Sequence, residues 1–92
     1  MAGMPVSPKH SPQRAQVAFT PECEPVLRKL SAAELVRLDR ALVAISLDPW
    51  IGQEKPTRAG HVPLREYIEG SARVIYHVTV LGSVVIVAYL EA

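Results

Sequence analysis

The spacing of apolar residues changes period along this chain, and each change marks an element. In Gln16-Val17-Ala18-Phe19-Thr20, Val17 and Phe19 alternate with smaller or polar neighbours, which predicts a short first strand. Thr20-Pro21-Glu22 then supplies a cap residue, a proline for the first helical position and a carboxylate for the positive helix end. The first predicted helix runs to about Leu30, with Val26, Leu27 and Leu30 as its apolar side. Ser31-Ala32-Ala33-Glu34 has the capping-box pattern, so a second helix starts almost at once. Leu35, Leu38, Leu42 and Ile45 follow at helical spacing, widened by Val36 and Val43. Asp48-Pro49 ends it, because the residue before proline resists the α region. Helices joined by so little linker form a hairpin.

Trp50 to Pro63 reads as a polar connection, and beyond it the period becomes two. Leu64–Ile68 is a strand, Glu69-Gly70-Ser71 a turn, and Ala72–Val80 a longer strand. Leu81-Gly82-Ser83 is a tight turn and Val84–Leu90 a last strand. The predicted fold class is α+β in the order β-α-α-β-β-β. Its helical hairpin packs on one face of a small, mostly antiparallel sheet. In the Ala72 strand, Ala72, Val74, Tyr76, Val78 and Val80 share one face, while Arg73, Ile75, His77 and Thr79 share the other. Val74, Tyr76 and Val78 are expected against Leu35, Leu38, Leu42 and Ile45, with Trp50 closing the core below the second helix. The opposite face is expected to be open and to carry Arg73 and His77, joined from the preceding strand by Arg65 and Tyr67.

Residues 1–14 contain three prolines and little apolar periodicity, so they are expected to be a flexible arm before a single domain over 15–92. Composition narrows the partners only slightly. Ten basic and nine acidic residues give a formal charge of +1, which demands neither nucleic acid nor an anionic membrane. The apolar fraction of 49% leaves surface to be covered by a partner segment or by a second copy of the chain. The lone Cys23 has no internal disulfide partner, and three histidines show no metal-ligand spacing, so neither a metal nor another cofactor is expected. With prolines at 5, 8 and 12 breaking any leader-like run, and no segment fit to span a bilayer, a cytoplasmic location is expected.

The run Gly70-Ser71-Ala72-Arg73-Val74-Ile75-Tyr76-His77-Val78 follows Leu64-Arg65-Glu66-Tyr67-Ile68 and precedes a valine-rich strand. Together with the helical hairpin and Asp48-Pro49, this order over residues 16–90 resembles the RelE/ParE toxin superfamily. The resemblance implies the toxin of a bacterial type II toxin–antitoxin system, held by a cognate antitoxin protein. Its RelE branch cuts mRNA on the ribosome by attack of the ribose 2′-hydroxyl, without a metal. Its ParE branch shares the fold and blocks DNA gyrase.

Carried onto this chain, the resemblance makes Arg73 the third-strand arginine that neutralises phosphate and Arg65 a basic residue on the strand before. Tyr67 falls where RNA-cutting members often place a second basic residue. Lys55, Arg58 and His61, in the loop before that strand, are candidates for charge or acid–base chemistry, and His77 for RNA contact. Arg73 and Arg65 are expected to share the open face and hold one phosphate between them. Structural readings stand beside these: Arg73 as a strand arginine paired with Glu66 or Glu69, His61 as a loop residue, His77 as a surface residue. The last strand is followed only by Glu91 and Ala92, where RNA-cutting members carry a further basic residue and a C-terminal segment. Three functions therefore stand: an mRNA endoribonuclease, a gyrase-inhibiting toxin, and a non-catalytic interaction module of the same fold.

Overall fold

A computed structural model describes residues 14–92; the arm expected over 1–14 lies outside them except for Arg14. That residue is tied to the domain, its Nε and Nη2 donating to Ser46 Oγ at 3.3 and 3.0 Å.

Strand β1 is Gln16–Phe19. The first helical segment is split, with a 3₁₀ turn at Pro21–Cys23 followed by α1 at Glu24–Lys29. Pro25 explains the split. It has no N–H to give to the Pro21 carbonyl, which instead accepts from Glu24 N–H and holds the tighter turn. Helix α2, Ala32–Leu47, begins with the capping box expected of it. Glu34 N–H donates to Ser31 Oγ at 3.2 Å, and Ser31 N–H donates to Glu34 Oε1 at 2.8 Å. These bonds hold the Glu34 carboxyl below its usual range, the Ser31 backbone bond most of all.

The remaining strands are β2 (Gln53–Lys55), β3 (Leu64–Glu69), β4 (Ala72–Val78) and β5 (Val84–Glu91). They form one five-stranded sheet in the order β1-β5-β4-β3-β2, antiparallel except where β1 runs parallel to β5. The expected α+β architecture is therefore present, with one strand more than the sequence pattern showed. β2 has no apolar alternation of its own and exists because it pairs with Glu66, Arg65 and Leu64 of β3.

The core lies between the helices and one face of the sheet. Val74, Tyr76 and Val78 are buried there as expected, with Val85, Val87 and Leu90 from β5. The helix contributes Leu38, Ala41 and Ile45, spaced to lie in one line, with Leu42 partly buried beside them. Leu35 and Val36 differ from expectation, at 43% and 54% exposed. The contact line centred on Ala41 leaves Leu35 to one side of it and Val36 nearly opposite. Cys23 is buried with its thiol directed at Val87 O, 3.5 Å away. Trp50 does not close the core; it is 54% exposed.

Tyr76 fixes the chain beyond α2. Its ring is fully buried, its hydroxyl donates to Pro49 O at 2.9 Å, and it accepts from Gly52 N–H at 2.9 Å. Gly52 must be a glycine at this approach, because a Cβ there would lie 2.5 Å from the Tyr76 hydroxyl and 2.9 Å from Glu66 O. Burial raises the phenol's pKa, against the opposing Gly52 bond, so the hydroxyl stays protonated and able to donate.

Candidate functional site

The register between β3 and β4 decides which side chains meet. Glu69 pairs with Ala72, so the hairpin turns on two residues, Gly70 and Ser71. Gly70 takes φ +60°, a conformation suited to glycine at the first central position of a tight hairpin turn. Arg65 then pairs with Tyr76 and Tyr67 with Val74, while Glu66 pairs with Ile75 and Ile68 with Arg73. Directly paired residues share a face. Arg65 and Tyr67 therefore stand on the helix side of the sheet, and the expectation that they join Arg73 on the open face is corrected. A three-residue turn would have placed them there; a two-residue turn shifts the strand by one residue and reverses every side chain.

The open face is built from Glu66 and Ile68 of β3, Arg73, Ile75 and His77 of β4, and Ile86, Tyr89 and Glu91 of β5. The last two reach it through a bulge. Ile75 pairs with Tyr89 but Tyr76 with Val87, so Ala88 is the extra residue and the alternation of β5 is reset. Leu90 consequently enters the core, and Tyr89, at 43% exposed, faces out.

Arg73 is not a free cation on this face. Its Nε donates to Glu66 Oε2, and its guanidinium lies 5.6 Å from the centroid of the Tyr89 ring. Lys55 Nζ reaches the other oxygen of the same carboxylate at 3.4 Å. The Arg73 bond, aided by Lys55, holds the Glu66 carboxyl below its usual range and raises Arg73 in turn. Tyr89 donates to Glu91 Oε1 at 2.6 Å, and that bond raises the phenol's pKa. Around this neutralised cluster lie Ile68, 60% exposed, and the partly buried Ile75 and Ile86.

Arg65 belongs to a second region, at the end of β3 and β4. Its Nη1 donates to Trp50 O at 3.1 Å and also to Gly52 O, and its guanidinium lies 5.2 Å from the Trp50 ring centroid. Trp50, Glu54, Pro63, Arg65, His77 and Val78, with Thr79, line a cleft of about 370 Å³. His77 Nδ1 lies 3.0 Å from Pro63 O. A carbonyl only accepts, so Nδ1 carries a proton and Nε2 of the neutral ring is left as the acceptor.

The other candidates are scattered. Tyr67 is partly buried against the core and donates to Glu69 Oε1 at 2.9 Å, a bond that raises its pKa. Arg58 and His61 are exposed in the loop before β3, linked only by a backbone bond from His61 N–H to Arg58 O at 3.0 Å. Thus Arg73 and Lys55 meet through Glu66, Arg65 and His77 meet at the cleft, and Tyr67, Arg58 and His61 join neither group. Sequence reasoning gave Glu66 only as a structural partner for Arg73. Correct hairpin register would have put Glu66 on the open face; the bulge that turns Tyr89 outward has no signal in the pattern.

No family model matches the sequence, and no curated protein matches it. Solved structures do. One is the archaeal RelE–RelB complex from Pyrococcus horikoshii OT3, with a TM-score of 0.66 at 19% identity, covering 85% of this chain and 93% of that one. Another is a mutant of the E. coli toxin RelE in the free state, with a TM-score of 0.61 at 20% identity, covering 85% and 82%. The fold of this chain is the RelE fold.

Proposed function

We propose that this chain, with its RelE fold, is the toxin of a toxin–antitoxin pair and that it acts by binding a protein rather than by cutting RNA. The solved complex of a RelE with a RelB supports a cognate antitoxin as its controlling partner. The observation that carries the mode of action is the chemistry of the open face. Cleavage by a 2′-hydroxyl needs a base, an acid, and cations turned toward the charge that develops on phosphorus. On this face the arginine assigned to that task is bonded to Glu66, and Lys55 is drawn to the same carboxylate. A phosphodiester arriving here meets a guanidinium already paired with Glu66, with the Glu91 carboxylate opposite it on β5.

The same face suits a protein. It offers three apolar side chains, Ile68, Ile75 and Ile86, and an aromatic ring, Tyr89, with Arg73 stacked on it. Arginine and aromatic residues are the types enriched where protein interfaces bind most tightly. The ParE side of the resemblance supplies DNA gyrase as the target.

Induction of the chain in a bacterial host should arrest growth, and co-expression of a short reading frame adjoining its own should relieve the arrest. The purified chain should inhibit DNA supercoiling by gyrase and leave a defined mRNA intact on programmed ribosomes. Tyr89→Ala should weaken the inhibition without altering the circular dichroism spectrum. A message cut by the wild type and spared by Arg73→Ala would overturn the binding reading in favour of an endoribonuclease. No growth arrest at all would overturn the toxin reading.

A further inference from the structure

Leu81 is the most exposed large apolar residue described, at 93%, and its backbone is held at φ 77°, ψ −2°. The left-handed region is costly for a residue with a branched side chain, and exposure means that nothing in the isolated fold offsets the cost. The turn itself is firmly closed. Thr79 Oγ1 donates to Val84 O and accepts from Val84 N–H at 3.0 and 3.2 Å, and Gly82 N–H donates to Thr79 O at 2.9 Å. The leucine is thus presented at the tip of a hydrogen-bonded turn.

That tip stands on the rim of the cleft described above. Thr79 lines the cleft, and a Cβ at Gly82 would lie 3.6 Å from the indole of Trp50, which lines it too. Trp50, Pro63 and Val78 give the cleft apolar walls, and its volume of about 370 Å³ far exceeds that of an ordered water. A knob and a hole therefore lie side by side in one patch. An acid and a base also share it, Glu54 and Arg65, and no ion pair joins those two within the chain.

We infer that this patch is the interface of a two-fold homodimer in which each copy buries its Leu81 in the cleft of the other. A two-fold contact requires a surface complementary to itself. Adjacent knob and hole meet that requirement, and so do adjacent opposite charges, since rotation carries the acid of one copy toward the base of its mate. The cleft is then a site completed by the second copy. This inference goes beyond the proposed function; of the open face it takes only His77, which also lines the cleft, and neither Arg73 nor Tyr89.

Sedimentation of the full chain from micromolar to millimolar concentration tests it. The wild type should pass from monomer to dimer. Leu81→Gly should raise the dimer dissociation constant about thirtyfold or more, the scale of a buried interface anchor. It should do so without lowering the monomer's thermal midpoint, because glycine adopts this backbone freely. Glu54→Arg, which sets like charges together, should also weaken the dimer. A wild type that stays monomeric throughout overturns the proposal, and so does a dimer that survives either substitution. Preferential binding of the wild-type tip to lipid vesicles, with no dimer formed, would assign Leu81 to a membrane surface instead and equally overturn it.

Discussion

Replacing Tyr76 by phenylalanine isolates one oxygen at the centre of the fold. The ring is fully buried and remains so in the variant, so the apolar burial is unchanged. What is lost are two hydrogen bonds, to Pro49 O and from Gly52 N–H, both at 2.9 Å. Gly52 is itself buried, so its N–H gains no water in exchange. Two bonds at about 1 kcal/mol each, plus the penalty for a stranded buried donor, give a loss of about 2–4 kcal/mol. At about 4–8 °C per kcal/mol for a domain of this size, the thermal midpoint should fall by some 10 °C or more. The assay is urea unfolding followed by circular dichroism, with the m-value confirming that the unfolded reference has not changed. Since Arg65 is bonded to the carbonyls of Trp50 and Gly52, the indole fluorescence of Trp50 should shift before global unfolding. A loss below about 0.5 kcal/mol, the level of an ordinary surface change, would refute the claim that this hydroxyl pins the chain after α2.

Along α2 the same truncation should separate two leucines: Leu38→Ala, at a residue 2% exposed, should cost about 2–5 kcal/mol in urea unfolding. Leu35→Ala, at 43% exposed, should cost about 1 kcal/mol or less. For Glu66, the Arg73 bond lowers the folded carboxyl's pKa, so its stabilisation is present at neutral pH and is lost as pH falls through that lowered value. Urea midpoints followed from neutral to strongly acidic pH should decline, and Glu66→Gln should flatten part of that decline while the share due to Glu34 persists. An unchanged slope in Glu66→Gln would remove the open-face pair from the acid response.

Alternation and capping signals were sufficient for the architecture, because each depends on local chemistry. Ser31 and Glu34 satisfy each other within one turn, and Val74, Tyr76 and Val78 are buried wherever β4 is placed. The site was less legible, because it depends on how strands are paired. Reading Glu69-Gly70-Ser71 as the turn, rather than Gly70-Ser71 alone, moved Arg65 and Tyr67 to the wrong face and produced a phosphate clamp that the register does not allow. Tyr89 and β2 follow the same rule, one turned outward by a bulge and the other made a strand by its neighbour. Leu35 and Leu38 carry equal hydrophobic signal; the line along which α2 meets the sheet distinguishes them.

The place of β5 in the sheet has a consequence for how the molecule is made. It is the last strand in the chain yet lies between β1 and β4, pairing Gln16 with Val84 across most of the sequence. Until residues 84–91 leave the ribosomal tunnel, β1 has no strand to bind and Cys23 has no Val87 carbonyl to meet. The α-hairpin and the β3–β4 hairpin are local and free to form earlier, but their joint core lacks Val85, Val87 and Leu90. A nascent chain therefore acquires its open face, bulge included, only once residues 84–91 have emerged. Closing so long a loop also slows the final step relative to the hairpins. A partner that recognises Tyr89 on that face has nothing to bind until β5 is in place, and the two hairpins alone do not present its site.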